Sequence, residues 1–417
     1  MALVSRRQSK ADNYIAERDT AALSHYQIMP ELGPRILFFS GGTAIKNLSR
    51  ELIRYTHNSI HIVTPFDSGG SSAHIRKAFR MLAVGDLRNR LVALVDNSVQ
   101  GSPNIQNILS CRFSKDISQI ELEERLKQMI IGRDPLVAAI PDPHRHIIQM
   151  YLRAFLSRMP RDFDLRGASI GNLIITGGYL KKGRTITHLI SLLSRLAEAK
   201  GVIRPITEEN CHLAAELENG EMVIGQHLIT GKETAPISSP IRHLYLSAAP
   251  DKAEKREVKI AKETEYLIKK ADLICFPMGS FYSSIIANTL PDGVGKAVAE
   301  SKCQKVYIPN TGTDPEQIGM TVHSSVATLV SYLQKTAPAK TPVGKLLNHV
   351  IVDGKSGSYP NPLDLEAIRK MGIGVIDANL ATPRSGLHLD ERLLATVLLT
   401  VTGHGKRKNV KKAVPVG

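Results

Sequence analysis

Two apolar stretches of strand length, each emptying into a glycine pair, constrain the fold of this chain more than any other feature. Ile36–Ser40 reads ILFFS and runs straight into Gly41-Gly42-Thr43, while the β-branched stretch Ser59–Thr64 leads to DSGGSS at Asp67–Ser72. Beyond the first pair Ile45, Leu48 and Leu52 recur at helical spacing, and beyond the second a helix is predicted from near Ser71. A strand, a glycine turn and a helix, repeated, open a parallel sheet, because parallel neighbours need a crossover and a helix usually supplies it. Paired glycines let backbone approach a ligand closely, and the free N–H groups and dipole of a helix start favour an anion there. Asp67 stands at the carboxyl end of the second strand, where open α/β sheets place ligands. A phosphate-and-cation site is therefore expected from Gly41, Gly42, Thr43, Ser68, Gly69, Gly70 and Ser71 around Asp67.

The rest of the chain extends that rhythm. From Ile36 to Asp96 the pattern is β–α–β–α–β, with LVALVD at Leu91–Asp96 as the third strand. Residues 97–165 break it: SVQGSPN is a loop, and Ile117–Ile131 and Ile147–Met159 read as amphipathic helices, a helical insertion or cap over the sheet. ASIGNLIITGG at Ala168–Gly178 resumes the rhythm, with Gly171-Asn172 in the manner of a strand-to-helix turn. A helix near Thr185–Lys200 and a short strand at Val202–Ile206 come next. Two alternating runs meet at Asn219-Gly220, a strong hairpin signal. Asp272–Phe276, Lys305–Pro309, His349–Asp353 and Gly374–Asn379 are further strands, with helices at Leu363–Met371 and near Leu389–Leu399. The prediction is a doubly wound, mainly parallel, Rossmann-like α/β sheet with a helical insertion and a β-hairpin. It spans residues 35–405, between an N-terminal extension (1–34) and a basic tail (406–417).

Charge narrows the partners. The formal charge is +15 over 417 residues, which suits nucleic acid, a membrane surface or anionic metabolites. The excess is dispersed, its one dense run being KRKNVKK at Lys406–Lys412, and there is no tryptophan to stack on bases. That points away from nucleic acid. No apolar run approaches the roughly 20 residues of a spanning helix. The first residues lack the apolar core of a secretory signal, and the four cysteines form no CxxC pair, so a reduced, cytoplasmic protein is expected.

Four further constellations lie just past strands or open helices. GDLRN at Gly85–Asn89 combines the Asp86 carboxylate, the Asn89 amide and the Arg88 fork, which suits phosphate; a loop salt bridge between Asp86 and Arg88 is the structural alternative. Asn172 could read a base or a phosphate. PMGSFYSS puts Gly279 and Ser280 at a strand end and opens a helix containing Asn288, either a nucleotide site or a plain β-to-α turn. NTGTDPEQIGMT, from Asn310, carries Asp314 and Glu316, which could assist a cation or simply build the turn. His57, His61, His144 and His146 lack partners at metal spacing. Hydrolase-elbow, zincin, Walker and GxGxxG motifs are missing where those chemistries need them.

Taken in order, GGT, DSGGSS, GDLRN, IGNL, AELENG, MGSFYSSIIAN and PNTGTDPEQIGMT resemble the CofD-like family of 2-phospho-L-lactate transferases and gluconeogenesis-factor (YvcK-like) proteins. The likeness leans to the YvcK-like branch. It implies that Gly41–Thr43 cradle phosphate, that Asp67 holds Mg2+, and that Asn172, Gly279, Ser280 and Asn288 line a nucleoside-diphosphate pocket. It further implies transfer of a phospholactyl-type group from a GDP-linked donor to a deazaflavin with release of GMP, or non-catalytic binding of UDP-sugars. A homodimer would fit such a protein. The family's DDGGSSG reads DSGGSSA here, so its second aspartate is Ser68, and its TQPGET loop reads TDPEQ. On the residues alone, Asp67 and Arg88 are the candidates for neutralising charge in phosphoryl transfer, a reaction that needs positioning more than a nucleophile.

Overall fold

The computed structural model describes residues 22–96, 102–181, 183, 185–231, 234–360 and 363–410. Most of the N-terminal extension and residues 411–417 of the basic tail lie outside the described residues. Ten strands are described: β1 (Ile36–Ser40), β2 (Ile60–Val63), β3 (Val202–Pro205), β4 (His212–Leu217), β5 (Met222–Ile224), β6 (Ile241–Ser247), β7 (Leu273–Phe276), β8 (Gln304–Tyr307), β9 (His349–Val352) and β10 (Gly374–Asp377). Seven form one parallel sheet in the order β10-β9-β8-β7-β1-β2-β3. Every residue of β1, β2 and β7 is buried. Both sheet faces are covered, and strands in that position become continuous apolar runs instead of alternating ones.

β1 sits between β2, with Leu37 beside Ile60, and β7, with Ile36 beside Leu273. Its alternate side chains serve two cores. Ile36 and Phe38 pack with Leu48, Leu52, Leu394 and Leu398, the last two from the long C-terminal helix Glu391–Val410. Leu37 and Phe39 pack with Ile62, Phe276, Val326 and Leu329, the last two from helix Val322–Lys335, and Phe39 stacks on Phe276 at 5.0 Å. His61 is fully buried, stacked on Phe38 and bonded to Ser59, so it is a core histidine.

Going up the chain, β1, β2 and β3 build the sheet in one direction and β7 to β10 build it in the other. The order therefore reverses between β1 and β7, and a crevice opens outside the carboxyl ends of those strands. Between the halves lies a three-stranded antiparallel sheet, β5-β4-β6. The Asn219-Gly220 hairpin joins β4 to β5, with Gly220 at φ +87°; the third strand, β6, has no such signal in the sequence.

The expected strand at Leu91–Asp96 is instead the end of helix Gly85–Ala93, and β3 takes the place beside β2. The strand-to-helix turn expected at Gly171-Asn172 is instead the first turn of helix Ile170–Lys181, which is buried on nearly every side. A helix enclosed all round loses its 3.6-residue polar stripe and reads like a buried strand. Helices Ser102–Ser110, Gln119–Ile130 and His144–Leu156 form the insertion and pack with it into a third core. At Gly177 the crossing is so close that an added Cβ would lie 2.8 Å from the Tyr151 carbonyl carbon. The first glycine pair also differs from expectation. Helix Lys46–Leu52 starts well beyond Gly42, so its N-terminus does not open on the turn.

Candidate functional site

A cavity of about 640 Å³ opens at the carboxyl end of β2, between the Asp67–Ser72 loop, helix Gly85–Ala93, the start of helix Ile170–Lys181 and the insertion. Asp67, Gly69, Gly70, Ser71, Arg88, Asn89 and Asn172, all candidates from the sequence, line it together. The loop is shaped locally. The Gly69 N–H donates to Asp67 Oδ1 at 3.1 Å, and Ser71 Oγ accepts from the Ser169 N–H at 3.2 Å and from Asn172 Nδ2 at 3.4 Å. Arg76, buried on the next helix, donates to the carbonyls of Phe66, Asp67 and Cys211, anchoring the loop close to β4.

Two lining residues carry buried polar atoms without a hydrogen-bond partner: Asn172 Oδ1 and Arg88 Nε. Arg88 is 6% exposed, and its Nη1 donates to the Leu109 carbonyl at 3.2 Å. Burial, helped by the nearby Arg112, pushes its pKa down to about 10, which leaves it charged at neutral pH. The bond to Leu109 rules out a simple Asp86–Arg88 loop pair as the whole of its role. Gly171 lets Arg88 and the Leu109 backbone come close, because a Cβ there would collide with the Leu109 carbonyl oxygen and stand 2.6 Å from Arg88 Cδ.

Gly41 and Gly42 follow β1 directly and do not line that cavity. They are buried, whereas Thr43 is exposed. The anion packed on this turn is internal. A Cβ on Gly42 would collide with Asp86 Oδ1 and lie 2.9 Å from both Asp86 Cα and Cγ. Arg90, fully buried, donates to the Gly41 carbonyl at 2.9 Å. Asn288 lies behind the turn, donating to the carbonyls of Ser40 (3.2 Å) and Ser284 (2.8 Å), with Oδ1 unpartnered. Asp67 Oδ2 is 2.9 Å from where a Gly85 Cβ would be.

Two expectations change in character. Ser68 belongs to the expected phosphate loop, but its hydroxyl bonds His227 Nδ1 at 2.8 Å and accepts the His227 N–H at 3.2 Å. The turn after β7, expected to be an anion cradle opening a helix on Gly279 and Ser280, is capped by the acidic side chains of Asp314 and Glu316 from the loop after β8. Asp314 Oδ2 accepts the Phe281 N–H at 2.8 Å, and Glu316 accepts the Tyr282 and Ser283 N–H groups at 2.7 and 2.8 Å. Asn310 completes the tie through both polar groups of Gly279. The chain then continues as a π turn, Phe281–Ile285, and a 3₁₀ turn, Ile286–Thr289, rather than an α-helix. Burial and the neighbouring Asp314 push the Glu316 carboxyl up to about 8.

The cavity also has a wall that no sequence motif announces. Arg112, Lys115 and Arg166, with Phe113 and Phe163, come from the insertion and the loop just after it. The one available signal is CRFSK at Cys111–Lys115, two cations spaced around an aromatic between helices.

The model of the family described as 2-phospho-L-lactate transferase CofD matches residues 36–381. The gluconeogenesis factor of Bacillus subtilis is 26% identical over 381 residues, covering 88% of this chain and 97% of that protein. That of Listeria innocua is 26% identical over 387 residues, covering 91% and 99%. A crystal structure of a UPF0052-family protein from Bacillus halodurans superposes with a TM-score of 0.64 at 22% identity, over 88% of this chain and 99% of the other. The fold, the order of its motifs and a match across most of its length agree: the chain belongs to the CofD family.

Proposed function

We propose that this chain binds a nucleoside-diphosphate-linked small molecule together with Mg2+ in the cavity beside Asp67. The observation that carries this reading is the pair of unpartnered buried atoms on the cavity wall, an acceptor at Asn172 Oδ1 and a donor at Arg88 Nε, beside the Asp67 carboxylate. Buried polar atoms are otherwise nearly always paired. Mg2+ takes oxygen ligands, commonly one or two carboxylates with phosphate oxygens and water. Asp67 and the Asn172 carbonyl oxygen suit the cation, and the Arg88 guanidinium suits a phosphate oxygen. When bound, the ion would neutralise diphosphate charge; Arg88 would orient the diphosphate, and the Asp67 loop would approach it through Gly69 and Gly70.

We put a binding and regulatory role first, as in the UDP-sugar-binding branch, because Ser68 replaces the family's second loop aspartate and is committed to His227. Transfer of a substituted phosphate to a deazaflavin-type acceptor is the second reading. Arg88 on the cavity wall favours it, as the guanidinium that would neutralise charge on a transferred phosphate. The four cysteines are free thiols, in keeping with the cytoplasmic location this reading carries.

The test is thermal unfolding of wild type and Asp67→Asn with GDP, GMP, UDP, UDP-N-acetylglucosamine and a deazaflavin, each with and without magnesium. A diphosphate ligand at a hundred times its Kd stabilises by about 2.7 kcal/mol. The shift should need magnesium in wild type and lose that dependence in Asp67→Asn. Equal magnesium-dependent shifts in both proteins overturn the assignment. A guanine-specific shift with a deazaflavin response selects the transferase, and a shift with the UDP-sugar alone selects the binder.

A further inference from the structure

A second cleft, of about 710 Å³, lies between β6 and helix Val322–Lys335, and shares no lining residue with the Asp67 cavity. That volume falls within the roughly 300–1,000 Å³ typical of small-molecule sites. Its floor is apolar: Leu244, Leu246, Val258 and Tyr332 are each buried. The Tyr332 hydroxyl is held in place by the Leu244 N–H, which donates to it at 2.8 Å, so the floor is fixed to the sheet edge.

Two lysines bring positive charge to the cleft. Lys335 folds its ammonium over the Tyr332 ring, 3.8 Å from the centroid. This is a cation–π contact that keeps the charge at the cleft. Lys255 lines the same cleft and is close enough that its charge adds to burial in pushing the Lys335 pKa down. Among the described residues neither lysine has a carboxylate at ion-pair distance. Nearby charges are engaged elsewhere: Glu216 with Arg242 at 3.4 Å, and Arg256 with Glu209 at 2.5 Å. Two like charges kept together beside an apolar floor leave a position that an anion would neutralise. Glu257 and Asp292, also on this cleft, disfavour an anion of high charge.

We propose that this cleft is a second binding site, for a small organic molecule with one acidic group on an apolar or aromatic body. Lys255 and Lys335 hold the acidic group, and the Leu244–Leu246–Tyr332 floor holds the body. The site is independent of the diphosphate cavity in its residues and in its ligand.

Anilinonaphthalene sulfonate, an aromatic monoanion that fluoresces when shielded from water, is the probe. It is titrated into folded wild type, Lys255→Gln/Lys335→Gln and Arg88→Gln, with melting curves confirming that each is folded. Wild type should show one saturable site. Each lost charge-assisted contact should weaken it roughly tenfold, and Arg88→Gln should leave it unchanged. Because both lysines are exposed, the double variant is expected to fold. Unaltered affinity in the double variant overturns the proposal, as does an absence of saturable binding to wild type. A loss confined to Arg88→Gln would overturn it too, by placing the probe in the other cavity.

Discussion

Replacing Gly42 with alanine tests the internal packing of the turn after β1 most directly. The new Cβ would collide with Asp86 Oδ1 and stand 2.9 Å from both Asp86 Cγ and Asp86 Cα. Ordinary carbon contacts begin near 3.5 Å, so rotating the carboxylate away relieves only part of the conflict. The remainder falls on backbone at the start of helix Gly85–Ala93, which also carries Arg88 and Arg90. Overpacking of a well-filled interior costs about 1–3 kcal/mol, and the clash with backbone places this substitution toward the upper end. Urea unfolding should show a lower midpoint with unchanged slope. In Gly42→Ala/Asp86→Ala the carboxylate is gone, and only the crowding against the backbone of residue 86 persists. The double variant should therefore be more stable than the sum of the two single changes, by on the order of 1 kcal/mol. Strict additivity, or a Gly42→Ala midpoint within about 0.5 kcal/mol of wild type, would refute the packing of Asp86 on this turn.

Two further outcomes are expected. Arg88→Ala should weaken a diphosphate ligand by on the order of tenfold or more while leaving its nucleoside nearly unaffected, as read by calorimetric titration; equal losses would make Arg88 purely structural. Glu316 should make stability fall with rising pH. Its folded pKa, raised to about 8, lies above the ordinary 4.5, so the unfolded state ionises first and the native state is progressively disfavoured across that window. Urea midpoints of wild type relative to Glu316→Gln should decline between those values, and a flat difference would contradict the burial argument.

Strands β1, β2 and β7 were legible because each is enclosed on both faces and has glycine or proline close beyond its carboxyl end, a pattern that length and composition reveal. Helix Ile170–Lys181 was not, since its burial hides the same periodicity that would have distinguished it. For the site, the short motifs named Asp67, Arg88 and Asn172, which the fold brings to one cavity. Whether the acidic group at a glycine turn is a ligand's or the chain's own was not readable in them. Asp86 sits on the Gly41-Gly42 turn, and Asp314 with Glu316 occupies the turn after β7. Each of those pairings joins segments well separated in the chain and leaves no local trace. Arg112 and Arg166 reach the cavity in the same way, through tertiary packing of a segment whose own pattern says only that it is helical.

The placement of β1 has a consequence for biosynthesis. One neighbour, β2, comes soon after it in the chain, but the other, β7, begins only at Leu273. At 5–20 residues per second, a ribosome would take on the order of 10–50 s to make the intervening chain. Throughout that interval ILFFS presents an unpaired edge, the kind of backbone row that recruits foreign strands. Nascent chains paused before β7 should therefore be the aggregation-sensitive species and the natural clients of ribosome-associated chaperones. Pairing β7 with β1, the step that completes the crevice between the two halves of the sheet, also ends the vulnerability of the newborn chain.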